Sequence, residues 1–83
     1  MKFHGNLITE QGVKFGVIIV KPHVTKSRQA SAEMQRFGQR AWGQLPIVLL
    51  GEDGSTFGRT DIVRFLKNVH PSQIPMREWK VAS

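Results

Sequence analysis

The feature that most constrains this chain is the stretch spanning residues 46–69. Ile47, Val48, Leu49 and Leu50 form its most apolar run, bounded by Pro46 and Gly51. A short apolar run between turn-forming residues is the pattern of a strand buried on both faces. Glu52, Asp53 and Gly54 follow as a turn, where the glycine tolerates positive φ, and a second short strand ends at Phe57. After Gly58, an amphipathic helix is predicted over residues 60–69. Thr60 serves as its N-cap, and Asp61 complements the positive end of the helix dipole. Ile62, Phe65, Leu66 and Val69 share one helical face, while Arg64, Lys67 and Asn68 fall on the other. Such a hairpin and helix cannot bury their apolar faces on each other alone. They need a partner strand.

That strand is predicted over residues 13–21. Val17, Ile18, Ile19 and Val20 are consecutive β-branched residues, which disfavour helix, and their continuity implies an interior position. Lys21 and Pro22 end it, since proline cannot donate to a ladder. Before it, residues 2–9 read as an irregular strand weakened by Gly5 and Asn6, with a turn at Glu10, Gln11 and Gly12. After it, Ser27 caps a helix whose Ala30, Met34, Phe37 and Ala41 line one face; Gln29, Glu33, Arg36 and Arg40 lie on its flank. Gly38 costs this helix about 1 kcal/mol relative to alanine, so it marks a close approach or fraying. Trp42 lies off the stripe, as a ring folded over the rim of the core, and Gly43 closes the helix. His70 and Pro71 stop the later helix, residues 72–75 form a loop, and a last strand covers residues 76–81. In it Trp79 and Val81 face one side, Glu78 and Lys80 the other.

The fold class that follows is α+β, in a single domain covering residues 1–83. It is a mixed or antiparallel sheet with two helices packed on one face, in the order β-β-α-β-β-α-β. Glu10, Gly12, Phe15 and Gly16 recur as Glu52, Gly54, Phe57 and Gly58, with Leu7 matching Leu49, so a duplicated ββα unit and shared turn chemistry are both open readings.

Composition enters where the core runs short. A chain of 83 residues buries only about 60–65 % of its unfolded surface, and with no cysteine neither a disulfide nor a thiolate metal site supplements it. Self-association as a homodimer is therefore expected. No apolar run is long enough for a signal peptide or a membrane span, so a soluble, cytoplasmic protein with no membrane partner is the expectation. Lysine and arginine number 12 against 6 acidic residues, and the formal charge of +6 favours polyanions such as nucleic acid. The cations are scattered along the chain, without a block.

Catalytic, metal and cofactor residues are not expected. His4, His23 and His70 occupy unrelated turns and edges without metal-ligand spacing, and Gly51-x-x-Gly54-x-x-x-Gly58 lacks the lysine of a phosphate loop. Two segments could take an anion or a partner. The helix start at Gly58, Arg59 and Thr60 offers free backbone N–H groups beside a cation, against the competing charge of Asp61. The strand exit at Lys21, Pro22 and His23 lies close to the other helix. Trp42 and Trp79 are candidate interface residues, and Phe3, Phe15, Phe57 and Trp79 could supply rings to a single-stranded nucleic acid or simply pack in the core.

Leu45, Pro46, the apolar run, Glu52 to Gly58, and Asp61, Ile62, Phe65 and Leu66 together resemble the C-terminal ββα unit of glutaredoxins and thioredoxins. Val17 to Pro22 with the helix after it resembles that family's strand and active-site helix. The resemblance implies a shared ββα packing and no redox activity, because Val24 and Ser27 stand where thiolates would be required. Three functions follow: a small non-catalytic, self-associating binding protein, a basic nucleic-acid-binding module, and a small anionic-ligand-binding protein or enzyme near His23, Arg59 and Asp61.

Overall fold

The computed structural model describes residues 2–10, 12–67 and 74–80. Strand β2 (Val13–Val20) is its centre, as its apolar continuity predicts. It pairs antiparallel with β1 (Lys2–Glu10), from Glu10 opposite Val13 to His4 opposite Ile19, with Gly12 at φ +80° in the turn. On its other edge it runs parallel to β3 (Ile47–Gly51), from Gly16 opposite Ile47 to Val20 opposite Gly51. The short β4 (Thr56–Phe57) and β5 (Arg77–Lys80) complete a five-stranded mixed sheet in the order β4-β3-β2-β1-β5. The α+β class and the single sheet are as expected. Residue 70 and its neighbours, where the helix stop was placed, and Val81 lie outside the described residues.

Three helices accompany the sheet: α1 (Pro22–Thr25), α2 (Arg28–Trp42) and α3 (Thr60–Lys67). The short α1 was not expected. Pro22 occupies its first turn, where a missing N–H costs nothing, and the N–H of Lys26 bonds to the carbonyl of Pro22.

The two longer helices lie on opposite faces of the sheet, correcting their expected placement on one. Phe15, Val17, Val48 and Leu50 point to the α3 side, where they cluster with Ile62, Leu66 and Ile74. Ile18, Val20, Ile47 and Leu49 point to the α2 side, with Phe3, Met34, Phe37 and Trp42. Both central strands are apolar at consecutive positions, so each face needs its own cover. Each side chain so buried contributes about 1.5–3 kcal/mol. A duplicated ββα unit would give its two hairpins the same pairing. The register, however, differs by one residue: Leu49 opposes Phe57, whereas Leu7 opposes Gly16.

Helix α2 begins as expected, with the Ser27 hydroxyl accepting from the N–H of Ala30 at 3.2 Å. Its most buried line is not the Ala30–Ala41 stripe but Ser31 and Gly38, which bring the helix down onto the sheet. A Cβ on Gly38 would stand 2.5 Å from Ile47 Cδ1 and 2.9 Å from Ile18 Cδ1, so the glycine marks a close approach and not fraying. The Ser31 hydroxyl donates to the carbonyl of Val24 at 2.7 Å, and Gln35 Nε2 donates to that of Ile47 at 2.9 Å. Ser31 and Gln35 are thus satisfied on this inner surface.

Candidate functional site

The end of α2 lays the Trp42 ring across β1 and β2 at two glycines. Gly16 leaves room for the ring, since a Cβ there would meet Trp42 Cζ3 and Cε3 at 2.3 and 2.4 Å; one on Gly5 would meet Cη2 at 3.2 Å. Phe3 and Trp79 both stand edge-on to Trp42, each with centroids 5.2 Å apart. Trp79 Nε1 donates to the carbonyl of Gly5 at 3.0 Å, fixing its ring, whereas the buried Trp42 Nε1 finds no acceptor among the described residues. Trp42 is therefore a core-rim ring, as its position off the stripe predicts, and it joins Trp79 in one aromatic cluster.

Two arginines lie over aromatic rings on this side of the sheet. Arg77 lies over the Trp79 ring, 5.5 Å from its centroid, and Arg40 lies over Phe37 at 5.6 Å. Beside the second pair runs a groove lined by Glu33, Arg36, Phe37, Gln39, Arg40 and Gln44. A guanidinium within about 6 Å of a ring centroid is attracted to the ring and keeps N–H groups for an anion.

Charge is distributed unevenly. Around the β3–β4 turn, cations are matched: Lys21 to Glu52 at 3.3 Å and Lys26 to Asp53 at 3.6 Å; at the start of α3, Arg59 is matched to Asp61 at 2.6 Å. Lys2 pairs with Glu78 at 3.8 Å. By contrast Lys14, Arg28, Arg36, Arg40, Arg77 and Lys80 have no carboxylate within ion-pair reach among the described residues. Lys80 stands on the other face of β5; the other five belong to α2 or, by strand alternation, to the sheet face that α2 covers. A single acid, Glu33, stands on the exposed side of α2. Scattered in sequence, these five cations share a side in the fold.

The expected anion-binding residues are not brought together. Lys21 sits at the C-terminal end of β2 beside Gly51 and Glu52, and His23 is exposed on α1. Arg59 and Thr60 follow β4 near the opposite end of β3, about 16 Å away along five residues of strand. Arg59 donates to Asp61 through both Nε and Nη2, which occupies its fork and holds the Asp61 carboxyl below its ordinary range. The Arg59 carbonyl accepts from the N–H of Val63, so the N-cap is Arg59 and not Thr60, and the helix starts one place earlier than predicted. Asp53 is likewise held below the ordinary range, first by the Ser55 hydroxyl and then by the Ser55 amide. No cluster of three metal-ligating side chains occurs among the described residues. Arg40 and Arg77 were not singled out in the sequence; only the fold places both beside aromatic rings.

No family model, no curated protein and no solved structure matches the chain. No helix among the described residues is long and apolar enough to cross a membrane.

Proposed function

We propose that the protein is a non-catalytic binding module for single-stranded nucleic acid, and that the surface formed by α2 and β5 takes the strand. One observation carries this reading: two arginines without carboxylate partners, Arg40 and Arg77, each lie over an aromatic ring, Phe37 and Trp79, packed against the same core cluster. Phosphates are attracted by the unmatched cations, and unstacked bases find guanidinium planes and ring faces to stack against. Lys14, Arg28 and Arg36 extend the positive side along which a backbone can run. The net charge of +6 supplies long-range attraction. Lys21 and Arg59, already matched by carboxylates, contribute little to it.

The test is fluorescence anisotropy of a labelled, random-sequence oligonucleotide of about twenty nucleotides, titrated at several salt concentrations. Each phosphate-contacting cation contributes about −0.7 to the slope of log K against log salt, so three such contacts give a slope of roughly −2. Replacing Arg40 and Arg77 by glutamine together is expected to flatten that slope by about 1.4 and to weaken binding at least tenfold. Absence of binding at about 50 mM salt, or an unchanged slope in the double variant, would remove the reading.

A further inference from the structure

We propose that two copies of the chain pair through the outer edge of β5, joining their sheets into one continuous antiparallel sheet across a two-fold axis at Trp79. β5 is bonded to β1 on one edge, with Lys2 opposite Lys80 and Gly5 opposite Arg77, and no strand occupies its other edge among the described residues. An open edge presents unpaired N–H and carbonyl groups, which proteins ordinarily blunt with short strands, charged side chains, proline or a bulge. β5 is short and charged and lacks the last two; its charges are of both signs, so a copy can match them.

The charge pattern selects one register. Along Arg77, Glu78, Trp79 and Lys80, side chains alternate between faces: Trp79 and Arg77 stand on the α2 side, and Glu78 and Lys80 on the other. In a flat two-fold junction each face must meet the same face of the copy, so Trp79 opposes Trp79 or the strands slide by two residues. With Trp79 at the axis, Glu78 of each copy faces Lys80 of the other, twice by symmetry. Sliding one way sets Glu78 against Glu78, and sliding the other way sets Lys80 against Lys80. Opposite charges directly across a pair stabilise it and like charges destabilise it. Both residues are exposed and so are free to meet a copy. Lys80 has no carboxylate of its own among the described residues; Glu78 has only the long contacts to Lys2 at 3.8 Å and His4 at 4.0 Å. The inference rests on the edge and its charges, and does not need the nucleic-acid reading.

Sedimentation equilibrium of the whole chain without nucleic acid tests it. The expected mass at micromolar concentration is twice 9.4 kDa. Glu78→Lys and Lys80→Glu, each folded by circular dichroism, should weaken dimerisation at least about tenfold, because each places like charges across the axis twice. The exchange variant carrying both substitutions should dimerise again, although it places a lysine beside Lys2. A mass of 9.4 kDa for the unaltered chain would overturn the proposal. So would dimerisation that the single reversals leave unchanged, or an exchange variant that stays monomeric.

Discussion

Replacing Gly16 with alanine tests the aromatic cluster directly. The new methyl carbon would stand 2.3 and 2.4 Å from two carbons of the Trp42 ring. The ring is rigid and is flanked edge-on by Phe3 and Trp79 at 5.2 Å, so it cannot step aside without lifting the end of α2. Overpacking of this kind costs about 1–3 kcal/mol, and each disturbed aromatic contact adds about 0.5–1.5 kcal/mol. A total of roughly 2–6 kcal/mol is expected. For a domain of this length it lowers the thermal midpoint by roughly 10–50 °C. Urea and thermal unfolding followed by circular dichroism measure it. Gly12→Ala is the control: nothing lies within 4 Å of its Cβ, and only the positive φ of 80° must be borne, for about 1–2 kcal/mol. In a Trp42→Leu background the Gly16→Ala cost should fall below about 1 kcal/mol, because the obstructing ring is gone. An unchanged cost in that background, or a loss within about 0.5 kcal/mol in the native chain, would refute the reasoning.

Further expectations follow from single contacts. Ser27→Ala removes the cap on Ala30 and should cost about 1 kcal/mol by urea unfolding, with Ser27→Asn restoring most of it. Asp53 and Asp61 both titrate below the ordinary 3.8, so they bind protons more weakly folded than unfolded. Their stabilisation is present at neutral pH and is lost as the pH falls below 3.8 through the lower folded values. Carboxyl NMR titration should place both midpoints below 3.8, and Ser55→Ala should raise that of Asp53 but not that of Asp61. Midpoints at or above 3.8 would contradict the hydrogen bonding described. Arg59→Gln should change oligonucleotide affinity less than about twofold, since its guanidinium is already taken by Asp61.

Much of the fold was legible in local patterns. The runs at Val17 to Val20 and Ile47 to Leu50 identified the buried central strands, Ser27 its helix start, and the alternation around Trp79 the last strand. These signals act within a few residues, which is why they survive without tertiary knowledge. Two kinds of information did not. Helical periodicity shows that α2 and α3 each need a sheet face, but not which one; the continuous runs in β2 and β3 held that answer, since strands apolar on both faces need two covers. Gly5 read as a weak point and Gly16 only as turn chemistry, yet Gly16 makes room for a helix end distant in sequence, and Gly5 for the Val17 carbonyl and the same ring. The same limit hid the candidate site. Trp42 and Trp79 were recognisable as interface candidates, but Arg40 and Arg77 acquire meaning only when register sets Gly5 opposite Arg77 and α2 crosses above. Conversely, Lys21 and Arg59 marked two candidate anion segments in sequence; they lie at opposite ends of β3, each beside its own carboxylate.

The most direct measurement uses the protein's own fluorescence. The chain has two tryptophans and no tyrosine, and both tryptophans stand in the aromatic cluster beneath Arg77. Unlabelled single-stranded oligonucleotide added at low salt should quench their emission to saturation. Added salt should reverse the quenching, and Arg77→Gln should shift the titration to markedly higher concentration. If the oligonucleotide binds by anisotropy while the tryptophan emission stays unchanged, the strand lies elsewhere and the α2–β5 surface is not its site.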